Sequence, residues 1–190
     1  MTGLIGPGAF IAVSGASGVG KDTLLDLARD RCGEGAFFPR RVITRPGGPG
    51  EDHLPVTRQQ FIRARLGAAF AVTWHAHGLD YGIPAAADGA IRAGQVVVAN
   101  VSRGVIPELR GRYERVVSVR VTVSDEVRAA RLRARGRESV ADITERLSRI
   151  DPATGHDVDH EIRNDGTAQD AGDHLIAIVE SAMAQRTERS

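Results

Sequence analysis

"VSGASGVGKDT", residues 13–23, closes the apolar run "AFIAVSG" (9–15) and opens "KDTLLDLARDRC" (21–32). The run before it has no polar residue until Ser14, as expected of a strand buried on both faces. After it, Leu24, Leu25, Leu27 and Ala28 recur at helical spacing. Strand, glycine-rich turn and helix form the context in which G-x-x-x-x-G-K-[ST] binds phosphate. Gly15, Gly20 and Lys21 occupy its fixed positions. The backbone of Gly15, Ala16, Ser17, Gly18, Val19, Gly20 and Lys21 is therefore expected to wrap nucleotide phosphates, helped by the positive end of the following helix. Lys21 is the only lysine among 25 basic residues, the rest being arginine. An ammonium kept here alone points to a catalytic charge that neutralises a departing γ-phosphoryl group.

Position 22 is Asp where a hydroxyl is usual. An acid in a helix's first turn favours the macrodipole by about 0.3–1 kcal/mol. The alternative is that Asp22 holds Mg²⁺, directly or through water, with Thr23 able to share the role. The ion prefers carboxylate, phosphate and water oxygens and would bridge two negative groups. The metal role is the expectation.

Composition sets the class. A length of 190 residues suits one domain with a good core. A net charge of +1 argues against a global field for nucleic acid or acidic membranes. The single cysteine, Cys32, excludes an intramolecular disulfide and fits a reducing, cytoplasmic compartment. No basic n-region precedes the first strand, so no signal peptide is expected. No apolar stretch approaches the roughly 20 residues of a membrane span.

Further along, "TRQQFIRARLG" (57–67) reads as a helix capped by Thr57. "AAFAVTWHAHGLDYGIP" (68–84) reads as a hairpin about a glycine turn. "AADGAIRAG" is a helix, and "QVVVANVS" (95–102) and "VVSVRVTV" (116–123) are buried strands. "DEVRAARLRARG" (125–136), "VADITERLSRI" (140–150) and "AGDHLIAIVESAMAQR" (171–186) are helices, and "VDHEIRND" (158–165) is a short strand. "RRVITRPGGPGEDHLP" (40–55), rich in Gly and Pro, reads as a loop. Strands separated by helices predict an α/β fold: a three-layer sandwich on a central parallel sheet. One domain is expected, with core segments near 9–36, 91–124 and 151–186. An acceptor-binding insertion over 37–90 and a lid over 125–150 complete it.

Beyond the loop, the chain resembles the guanylate kinase family. "TRPGGPGE" is similar to its phosphate-gripping T-R-x-x-R-x-G-E, with Arg45 on the first Arg. "HGLDYGIP" resembles its G-x-x-Y-G-[ST] hairpin, with Tyr81 on the tyrosine that contacts the acceptor's phosphate. "RLRARGRES…ITERL" resembles its arginine lid, with Arg131, Arg135 and Arg146 on family positions. "RNDG" (163–166) resembles its late N-x-D segment near the nucleotide. The resemblance implies ATP and Mg²⁺ as cofactors, with Arg131 and Arg135 on the nucleotide and Arg135 and Arg146 acting with Lys21 in transfer.

The departures all concern the acceptor. Gly48 stands for the second phosphate Arg, and His53 for a phosphate-binding Tyr. An ungapped alignment puts Arg41 on a guanine-contacting Ser and Val72 on the guanine-reading Glu, and "VANVSRG" lacks the family's Asp residues. A site that reads a base by hydrogen bonds does not lose its carboxylate cheaply. This combination, with "GKD", "TWHAHG" and "NVSR", is similar to the ribose 1,5-bisphosphate phosphokinase branch, from phosphonate degradation. That branch makes 5-phosphoribosyl 1-diphosphate from ribose 1,5-bisphosphate and ATP.

A small sugar with two phosphates needs cations at both ends and no base pocket. Arg41, Arg45, His53, His75, His77, Tyr81 and Arg103 would supply such a site. Arg103 lies just past a strand end, where open α/β sheets bind ligands. His75 and His77, at i and i+2, are expected on one strand face as phosphate donors or as hydrogen-bonded structural groups, with Trp74 on the other as packing. Asn100 and Ser102 are candidates to orient Mg²⁺ waters or sugar hydroxyls. From Arg128 to Arg149 there are seven arginines. Arg128, Arg131 and Arg135 share one helix face, as a lid closing over ATP would need. Two rivals remain, a kinase for GMP and a non-catalytic scaffold. The oligomeric state, a homodimer included, stays open.

Overall fold

The computed structural model describes residues 3–47, 52–134 and 158–187. At its centre is a five-stranded parallel sheet, ordered β2-β7-β1-β8-β9. Its members are β1 (Ala9–Ser14), β2 (Ala36–Phe37), β7 (Val96–Asn100), β8 (Val116–Thr122) and β9 (His160–Arg163). In β1 both faces are core. Ala9, Ile11 and Val13 join one buried cluster with Leu24, Leu25 and Ala28 of α1 (Lys21–Cys32) and with Leu175 and Val179 of α6 (Ala168–Thr187). Phe10 and Ala12 join the other, with Ala87 and Ile91 of α3 (Ala86–Arg92) and Leu109 of α4 (Ile106–Arg112). Such alternation with no polar face is what a strand between two helical layers requires, and the three-layer sandwich follows.

A second, mixed sheet of four strands, ordered β4-β3-β6-β5, lies between β2 and α3 in the chain. It contains β3 (Arg41–Ile43), β4 (His53–Pro55), β5 (Phe70–Ala76) and β6 (Leu79–Pro84). Between β4 and β5, α2 (Arg58–Leu66) starts on the N-cap foreseen at Thr57, which forms a capping box: its Oγ1 accepts from Gln60 N at 3.2 Å, and Gln60 Oε1 from Thr57 N at 2.8 Å. The sheet corrects the reading of 40–55 as loop, because β3 and β4 pair in parallel and β3 pairs antiparallel with β6. Arg41, Val42 and Ile43 become strand through those long-range bonds, which local glycine and proline content does not report.

The hairpin β5–β6 is as expected, but its turn falls on His77 and Gly78, with His77 at φ 53°. His77 therefore leaves the strand and shares no face with His75. The segment before β8 also holds a 3-10 turn at Arg103–Val105 and the helix α4, neither foreseen. The second lid helix expected at 140–150 lies outside the described residues, while α5 (Asp125–Ala134) matches the first. Among the described residues no helix is long and apolar enough to cross a membrane.

Candidate active site

The loop between β1 and α1 sits at the carboxyl end of the central strand, where open parallel sheets bind ligands. Gly15 has φ 146° and Gly20 φ 92°, and a Cβ on either would meet Val121 O at 2.4 Å or Asn164 Nδ2 at 2.6 Å. Only glycine fits both places. Lys21 Nζ donates to Gly15 O and Ala16 O, each at 2.8 Å, so the ammonium lies inside the loop's curve. Thr23 is exposed on the first turn of α1. Asn164, 2% exposed just after β9, donates from Nδ2 to Val19 O at 2.8 Å and braces the loop from behind.

From above the loop, α5 brings two arginines. Arg128 Nε donates to Ser17 O at 3.2 Å, and Arg131 donates from Nη1 to Val19 O at 3.4 Å and from Nη2 to Asn164 O at 3.0 Å. The glycine geometry, the inward lysine and these cations fit a nucleotide triphosphate. Arg135 and Arg146 lie outside the described residues.

Asp22 lies on the first turn of α1, next to Lys21. Its Oδ1 accepts from Asn100 Nδ2 at 2.9 Å and from Arg41 Nη2 at 3.2 Å. Asn100 ends β7, opposite Val13, and is 7% exposed. Arg41 begins β3. The phosphate loop, the strand end and the inserted sheet thus meet on one carboxylate oxygen. The cleft at this seam is lined by Asp22, Asp26, Arg29, Phe38, Arg41 and Asp52, among others. Burial pushes the Asp26 carboxyl above its ordinary value, Arg29 pulls it back, and Asp22 and Asp52 add to the rise. Among the described residues no three His, Cys, Asp or Glu side chains gather as a metal cluster. Asp22 is the carboxylate at the loop.

The hairpin sorts the other candidates by face. Trp74 and Tyr81 are cross-strand partners with rings stacked at 5.3 Å and 4°. His75 and Asp80 are the next pair, and His75 Nδ1 lies 2.8 Å from Asp80 Oδ1. Adjacent pairs point to opposite faces, so His75 is turned from Tyr81 and Trp74 shares its face. Placing the two-residue turn at His77–Gly78 would have revealed this from sequence, since register alone sets the face.

His53 is 4% exposed, and its Nε2 lies 3.4 Å from Arg45 O. It supports the backbone of Arg45, whose Nη1 donates to Pro46 O at 3.1 Å. Arg103 opens the 3-10 turn after β7, next to Ser102. Burial, together with the charge of Arg120, lowers its pKa. Arg120, on β8 opposite Ser14, is a cation that sequence reading missed. It is ion-paired to Glu161.

No protein-family model matches the chain. A ribose 1,5-bisphosphate phosphokinase PhnN of Pseudofrankia inefficax is 65% identical over 179 residues, 94% of either chain. The chain belongs to the ribose 1,5-bisphosphate phosphokinase family. Another member, from Rhodopseudomonas palustris, is 49% identical over 150 residues, 78% of this chain and 77% of that one. Among solved structures, a guanylate kinase from Anaplasma phagocytophilum superposes with a TM-score of 0.67 at 20% identity, covering 95% of this chain and 89% of its own. The family's fold is thus that of guanylate kinases. Val72, expected to stand in place of a guanine-reading Glu, is 2% exposed and packed in the core.

Proposed function

We propose that the protein transfers the γ-phosphoryl group of ATP to the 1-phosphate of ribose 1,5-bisphosphate, giving 5-phosphoribosyl 1-diphosphate and ADP. The observation that carries this reading is the intact phosphate loop, with Lys21 Nζ inside its curve, in a chain of a family named for that activity. The acceptor oxygen is already ionised at neutral pH, so the reaction needs no general base. Catalysis is then positioning and charge stabilisation. The loop backbone and Lys21 hold the β- and γ-phosphates, and Arg131 anchors the lid helix against Val19 and Asn164. Arg135 and Arg146 would complete the lid's charge. The residues present fit Mg²⁺ at Asp22, whose two protein bonds both fall on Oδ1. When bound, the ion would neutralise charge between the phosphates.

On the acceptor side we assign Arg41, Arg45, Tyr81 and Arg103 to the sugar's phosphates. His53 acts through the backbone of Arg45. His75, on the opposite face of the hairpin from Tyr81, pairs with Asp80. The segments 37–90 and 125–150 serve as acceptor-binding insertion and lid, within one cytoplasmic domain. A GMP kinase is disfavoured, because buried Val72 offers a base no hydrogen bond. The test is ADP release from ATP and Mg²⁺, with ribose 1,5-bisphosphate and GMP offered separately. Turnover with the sugar and none with GMP is expected, and the reverse would overturn the reading.

A further inference from the structure

We propose that Asp22 is a positioning residue for the acceptor: held by Asn100, its carboxylate orients the Arg41 guanidinium at the seam between phosphate loop and inserted sheet. This rests on the proposed function. A carboxylate beside a nucleotide's phosphates repels them, and a hydroxyl there would not. A carboxylate there therefore calls for cationic partners that the hydroxyl could not serve, besides the proposed Mg²⁺. Arg41 is such a partner, 3.2 Å away, with its side chain 19% exposed.

The backbone of Arg41 is fixed, since β3 pairs on both sides with β4 and β6. What remains loose is the long side chain with its several rotatable bonds. Tying one nitrogen to Asp22 removes much of that freedom and leaves the rest of the planar fork for an anion. The tie also neutralises Asp22 toward an anionic sugar entering the cleft.

Asn100 shows why the carboxylate must be single. It donates to Asp22 Oδ1 at 2.9 Å from a strand end that is 7% exposed. A carboxylate at position 100 would meet Asp22 at that distance, and two like charges so close do not both ionise. Acid on the loop and amide on the strand keep the charge on the side where Arg41 can use it.

The test is the acceptor KM from steady-state kinetics at saturating ATP and Mg²⁺, read as a double-mutant cycle with Arg41. Asp22→Ala should raise the KM for ribose 1,5-bisphosphate about tenfold or more. On an Arg41→Ala background the same change should add nothing to the acceptor KM, because coupled residues are not additive. Asp22→Asn keeps the shape, and Asn100→Ala removes the fixing bond. Both should raise the acceptor KM more weakly, and they carry the cycle if Asp22→Ala fails to fold. An unchanged acceptor KM, or fully additive effects with Arg41→Ala, overturns the positioning role alone. Absence of turnover by the wild-type protein overturns the functional reading and this role with it.

Discussion

Trp74 stacks on Tyr81 across the β5–β6 hairpin, ring centroids 5.3 Å apart and planes within 4°. The stack fixes the tyrosine ring from one side, so its hydroxyl is presented from a rigid platform. Trp74 is also the only tryptophan in the chain. Its emission should change when ribose 1,5-bisphosphate is titrated in, and should saturate. Tyr81→Phe keeps the stack but removes the hydroxyl, and should weaken that binding about tenfold, the worth of a hydrogen bond to a charged group. Equal binding by the two proteins would remove Tyr81 from the acceptor site.

Gly20→Ala tests the loop. The new methyl would need φ 92° and would sit 2.6 Å from Asn164 Nδ2. The strain of a left-handed alanine, about 1–2 kcal/mol, adds to displacement of the bracing bond to Val19. Affinity for a fluorescent ATP analogue should fall at least about tenfold. Retained affinity would show that the loop adopts another conformation on binding nucleotide.

Lys21→Met removes the ammonium and keeps much of the side-chain volume. With the charge gone, kcat should drop about 10²–10³-fold, as for loss of one preorganised donor at a transition state. Single-turnover measurement of product from bound ATP reads this directly. A drop confined to the KM for ATP would assign Lys21 to ground-state binding alone.

Asp88 lies away from the active site and predicts how the fold responds to acid. Burial disfavours its charge, but hydrogen bonds from Arg112 and Tyr113 outweigh it and hold its pKa below the ordinary 3.8. Arg112 Nε lies 2.9 Å and Tyr113 Oη 2.7 Å from Oδ1. Because the unfolded chain binds this proton more readily, the contribution is whole above the ordinary value and is lost as pH falls through the folded one. Asp88→Asn should cost about 2–3 kcal/mol in urea unfolding at pH 7, less than a fully buried pair because Arg112 is partly exposed. The gap between wild type and variant should shrink at pH 3. A gap of equal size at both pH values would assign the cost to shape rather than charge.

Much of the architecture was readable along the chain. The strand at Ala9–Ser14, the helix at Lys21–Cys32 and the capping box at Thr57 are local patterns, each set by residues within a few positions of one another. The short strands β3 and β4 were not, because three residues beside a Gly- and Pro-rich stretch become strand only when β6 is there to pair with them. Trp74 and His75 lie on opposite faces of β5 as their spacing implies, but that Tyr81 shares the face of Trp74 depends on where the hairpin turns.

The sequence by itself determined that a phosphate loop stands between a buried strand and a helix, with one lysine and no base-reading carboxylate at position 72. It also carried most of the alternation of strand and helix in the core, since periodicity records which faces must be buried. What Asp22 meets at that loop comes from the tertiary fold. Arg41 and Asn100 lie 19 and 78 residues away in the chain, and no local pattern links them. The parallel sheet brings the end of β7 beside the loop, the inserted sheet carries Arg41 to the same seam, and the charge of one carboxylate holds them together.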